Sequence, residues 1–116
     1  MVGRKRKITI RFSKRLKNEM QQAIIHFGYG LHGKSRWLEQ AIQLFLKQLN
    51  YIELVETGIS INQADLVCIE AFYLDENTIR KVKSALVNVR VKYPLFEGVQ
   101  SAFVRASVIY RLMLKK

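Results

Sequence analysis

Lys7, Thr9 and Arg11 stand two residues apart, and Ile8, Ile10 and Phe12 alternate with them. This alternation is expected of a β-strand that packs one side on a core and turns the other to solvent or a polar partner. Two readings of residues 5–13 are open: a solvated tail running into an ordinary edge strand, or a strand that reads DNA. Either way a lone strand cannot satisfy its backbone groups, so it needs a mate from elsewhere in the chain or from a second copy.

A second cluster, Gly33-Lys34-Ser35-Arg36, opens a helical pattern. Free first-turn amides beside Lys34 and Arg36 can hold a phosphate, as an anchor rather than a sequence reader. The likeness of Gly33-Lys34-Ser35 to the end of a nucleotide-binding phosphate loop fails: the preceding glycine spacing, the strand context and a downstream metal-binding strand are missing. Cys68 is the single cysteine, and His26 and His32 are the two histidines. These three residues make neither a disulfide framework nor a typical zinc site, so no metal and no cofactor are expected. Cys68 reads as a buried thiol and His32 as a surface or capping residue of a turn. With no nucleophile beside a base, the expectation is a protein that is not an enzyme.

The 116 residues suffice for one modest core or two small halves sharing one, and a large catalytic cleft between domains is not expected at this size. Twenty Lys and Arg oppose nine Asp and Glu, a net charge of +11 that favours a polyanionic partner. Eight of the basic residues fall within the first 17 positions, which marks that end as the phosphate-facing one. No uninterrupted apolar run approaches bilayer-spanning length and no signal-peptide core is present, so a soluble cytoplasmic protein without membrane insertion is expected.

The elements that must position these residues follow from periodicity. Ser13 is a good N-cap for a helix over 14–27, with Leu16, Met20, Ala23, Ile24 and Phe27 on its apolar side and Gly28 as its stop. A second helix is predicted over about 35–56, carried by Trp37, Leu38, Ala41, Ile42, Phe45, Leu46 and Leu49, with Ser35 as the cap or in the first turn. Residues 58–66 read as a connector. Residues 67–74, rich in Val, Ile, Phe and Tyr, predict a second strand. Asp75 caps a third helix that ends before Pro94, and a fourth begins around Ser101.

The series Ser35, Trp37, Leu38, Ala41, Ile42, Leu46 returns at a uniform offset of 66 as Ser101, Phe103, Val104, Ser107, Val108, Leu112. Ser13 and Asp75 are offset by 62, which leaves about four extra residues in the first helix or turn of the second copy. The reading is a divergent duplication of strand, helix, turn, helix: one copy over 1–57, the second over 67–116, sharing one core. The expected fold is α+β, mainly α, in which residues 7–12 and 67–74 form a pseudo-twofold, two-stranded antiparallel ribbon covered by four helices.

In this arrangement, and through residues 7–13 and 33–42 in particular, the chain resembles the ribbon-helix-helix (MetJ/Arc/CopG-like) DNA-binding family, in its fused tandem form. The resemblance implies sequence-specific binding of double-stranded DNA, with the ribbon in the major groove and the starts of the second helices on phosphates. The matching base-contact positions are Lys7, Thr9 and Arg11. Lysine or arginine can donate to guanine O6 and N7, and threonine can meet a polar edge or a thymine methyl. The phosphate positions are Lys34, Ser35, Arg36, Gln100 and Ser101, strengthened by Arg4, Lys5 and Arg6. The second strand departs from this polarity. Aligned through Leu74 and Asp75 it turns Ile69, Ala71 and Tyr73 outward and Glu70 inward, where the carboxylate needs a partner or a proton. Its alternative outward face is Cys68, Glu70, Phe72 and Leu74. Tyr73 is an auxiliary DNA contact or part of a protein interface. The resemblance further implies a conjugative-transfer (relaxosome) accessory protein or a transcriptional repressor or antitoxin, with a relaxase or other transfer proteins as partners and cooperative self-association on DNA. The competing reading is a structural or protein-interaction module without specific DNA recognition.

Overall fold

The computed structural model describes residues 4–29 and 33–114. His32 therefore lies outside the described residues. The chain begins with β1 (Lys5–Phe12) and α1 (Lys14–His26). The Ser13 hydroxyl accepts from Leu16 N at 3.2 Å, which starts α1, and Gly28 at φ 79° ends it by taking the left-handed backbone. Next comes α2 (Lys34–Leu46), then two single-turn helices, α3 (Tyr51–Leu54) and α4 (Glu56–Ile59), and a 3-10 turn at Gln63–Asp65. The second strand, β2 (Cys68–Asp75), leads into α5 (Glu76–Lys92) and α6 (Val99–Leu114). Asp75 caps α5 through its carboxylate, which accepts from Asn77 N at 3.1 Å.

The strands form one two-stranded antiparallel sheet, with Thr9 opposite Ala71, Lys7 opposite Tyr73 and Arg11 opposite Ile69. The cap-to-cap offset of 62 makes Ala71 the counterpart of Thr9, and those two residues are themselves partners. The ribbon thus has a local two-fold through its central pair. The helices depart from it, since α5 has 17 residues where α1 has 13.

The expected set of four helices is corrected. The single helix expected over 35–56 ends at Leu46, and the rest of that span forms a turn, α3 and the first residue of α4. Its last turn tightens through a bond from Lys47 N to Leu44 O, and the chain then swings round, leaving Leu49 fully exposed. The swing carries Val55 into the core and sets the Tyr51 ring 6.4 Å from Phe45 and 6.3 Å from Phe103. Gly58 lies within α4, where a Cβ would stand 2.0 Å from the Ala102 carbonyl oxygen, so α4 rests directly on the backbone of α6. As a result α6 is buried on several sides, including Ala102, Arg105 and Ala106, whereas its counterpart α2 keeps a solvent side. The core runs from Ile10, Phe12, Phe72 and Leu74 under the ribbon to Trp37, Phe45 and Phe103 between the helices.

Candidate nucleic-acid interface

The register decides which strand faces meet solvent. Ile10, Phe12, Phe72 and Leu74 are buried, and Phe12 meets Phe72 edge-on at 6.1 Å. Lys7, Thr9 and Arg11 therefore share the opposite, exposed face with Ile69, Ala71 and Tyr73. Ile69 is 59% and Tyr73 52% exposed, and Ala71 between them is half-buried. The one carboxylate on that face, Asp75, lies at the end of the ribbon and is occupied in capping α5. A row of two cations and a threonine thus runs beside an apolar row ending in a tyrosine.

Glu70 is on the inner face. Its carboxylate is 3.1 Å from Lys34 Nζ and 3.2 Å from Lys17 Nζ, so α1 and α2 each contribute one cation to it. Burial alone would raise its pKa, but hydrogen bonds from Lys34 and Lys17 and their charges outweigh burial and leave it lowered. Lys34 also lies 5.3 Å from the centre of the Phe72 ring. Its ammonium is therefore engaged beneath the ribbon rather than presented as a free cation at the helix start.

The start of α2 is tied to the free edge of β2. Gly33 is the N-cap, and Ser35 falls in the first turn, where its hydroxyl accepts from Tyr73 N at 2.9 Å. One turn on, the Glu39 carboxylate accepts from Asp75 N at 2.5 Å. Four residues rise about 6 Å along a helix and two residues about 6.7 Å along a strand, so these two bonds keep step. Glu39 also lies 3.8 Å from Lys5 Nζ. The offset of 66 makes Arg105 the counterpart of Glu39, and its polarity is reversed: its Nη1 donates to the Arg11 carbonyl at 3.2 Å and its Nε to that of Gly58 at 3.4 Å. Arg105 is 3% exposed, and among the described residues no carboxylate pairs with it. Burial lowers its pKa.

The other expected phosphate residues are spread around this face. Arg4 is exposed, and its carbonyl accepts from Glu76 N at 2.9 Å. Arg6 is exposed near the ribbon end, on the side opposite Lys5 and Lys7. Arg36 is exposed on α2, its guanidinium 5.9 Å from the Tyr29 ring. Gln100 and Ser101 sit half-buried in the first turn of α6. Ser101 lines a recess of about 300 Å³ with Thr9, Arg11, Ile69 and Arg105, beside the exposed face of the ribbon.

The structure thus gathers Lys7, Thr9, Arg11 and Tyr73 on one surface, sets Ser101 at its margin, and draws Lys34 and Ser35 into contacts beneath and beside β2. Sequence reasoning did not single out Glu39 or Arg105. Their signal was a charge reversal at matching positions of the repeat. Among the described residues no group of His, Cys, Asp or Glu could hold a metal ion, and no helix is long and apolar enough to cross a membrane. In comparisons with known proteins, no family model, no curated protein and no solved structure matches the chain.

Proposed function

We propose that this chain is a site-specific double-stranded DNA-binding protein that places the exposed face of its ribbon in the major groove, as the resemblance to the ribbon-helix-helix family implies. The observation carrying this reading is the alignment of Lys7, Thr9 and Arg11 on the solvent side of a two-stranded ribbon in a chain of net charge +11. A β-ribbon fits the roughly 12 Å width of the major groove, and Lys and Arg donors match guanine O6 and N7. Arg4, Lys5, Arg6, Arg36, Gln100 and Ser101 are the supporting phosphate contacts in this reading. Its role is recognition without catalysis, in a conjugative-transfer accessory complex or in transcriptional repression, on DNA in the cytoplasm.

Selection of the purified chain against randomised duplexes tests the proposal. The expected result is a preferred duplex whose affinity falls steeply with added salt, as release of counterions from phosphates requires. Binding that ignores sequence would reduce the chain to a phosphate binder, and absence of binding would reject the reading.

A further inference from the structure

The apolar row of β2 calls for an explanation of its own. Ile69 and Tyr73 are exposed on the same face as Lys7 and Arg11, and the ribbon register places Ile69 beside Arg11, Ala71 beside Thr9 and Tyr73 beside Lys7. The adjoining row is cationic, and Asp75 at the ribbon end is held in its cap, so the face as a whole suits an anionic partner with apolar groups at a fixed depth. Duplex DNA has both, because its phosphates flank a major groove into which each thymine projects a C5 methyl. Duplex RNA is a poor match, since its deep, narrow major groove does not admit side chains.

From this exposure and register we infer that Ile69 and Ala71 are thymine readers, so that the target site carries thymines on the DNA strand lying beside β2, at its centre and at the Arg11 end. This inference rests on the DNA-binding reading above and adds to it the composition and direction of the site. Alternate residues of a strand are about 6.7 Å apart, or about two base-pair steps of 3.4 Å, so Lys7 to Arg11 covers about five base pairs. At one end Lys7 faces the groove with the polar tip of Tyr73. At the other Arg11 faces it with Ile69, which offers only hydrocarbon. The two ends therefore demand different bases, and a single chain lies on its site in one orientation.

Replacing thymine by deoxyuracil, one position at a time, in the duplex obtained by selection removes only the methyl group. Wild-type protein is expected to lose about four-fold in affinity per methyl at the centre and in the Arg11 half, the effect of unburying one methylene-sized group, and to be indifferent in the Lys7 half. Ile69→Ala, at an exposed position that leaves the core intact, is expected to erase the effect in the Arg11 half alone. A selected duplex whose affinity is unchanged by every uracil overturns the inference while leaving sequence-specific binding in place. The inference is equally overturned if Ile69→Ala changes neither affinity nor the uracil pattern, which would leave the apolar row to a protein partner. If selection returns no preferred duplex, the DNA-reading proposal fails and this inference fails with it.

Discussion

Glu70 shows how one side chain governs the presentation of the ribbon. Its counterpart in the first strand is Ile8, so the repeat offers a carboxylate where an apolar residue would pack, and Lys17 and Lys34 compensate from two different helices. Glu70→Gln leaves both lysines without an anion and is expected to reduce stability by about 2 kcal/mol, read from urea unfolding at neutral pH. The sign of the pH dependence follows from the lowered pKa of the folded state: the carboxylate's contribution is complete above its ordinary value of 4.5 and fades as pH falls through the folded value. The acid limb of the stability profile should therefore be shallower in Glu70→Gln than in the wild type, and identical limbs would assign the acid sensitivity elsewhere. The need of an inward Glu70 for a partner is legible in the sequence. Which residues would answer it is not, because Lys17 and Lys34 reach it only once both helices are docked.

At the scale of elements, α2 and α4 determine where the ribbon sits. Bonds from Ser35 and Glu39 run along the free edge of β2, while Arg105, held against α4 through the Gly58 carbonyl, reaches the Arg11 carbonyl on β1. Gly58→Ala would force a methyl against the Ala102 carbonyl, and its expected cost is about 3 kcal/mol of stability, the upper part of the usual range for overpacking, measured by thermal or urea unfolding. An unchanged midpoint would show that α4 can lift from α6 without loss. The caps at Ser13 and Asp75 were legible because each is a local bond between a side chain and a first-turn amide. The break after Leu46 was not. Leu46, Leu49 and Ile52 continue a helical spacing, yet burial of Val55 and close packing at Gly58 favour a turn that exposes Leu49. Tertiary contacts overrode a local pattern there, and among the described residues the expected four helices became four long ones and two short ones.

For the molecule as a whole, both strands of the ribbon come from one chain, so a single copy carries the complete candidate reading surface. The unfolding midpoint is therefore expected to be independent of protein concentration across a hundred-fold range. A midpoint rising with concentration would mean that folding depends on a second copy. The same chain places unlike residues at matching points of the ribbon, Lys7 against Ile69 and Arg11 against Tyr73, which a symmetric pair of identical chains could not do. The most direct test of base reading by this face compares affinities for the selected duplex and for one whose central five base pairs are scrambled, at one fixed salt concentration. A base-reading ribbon predicts a clear preference in the wild type, and a loss of about ten-fold or more on the selected duplex in both Lys7→Ala and Arg11→Ala, with little change on the scrambled one. Equal wild-type affinity for the two duplexes, or equal losses on both in the variants, would contradict the claim that this face reads bases.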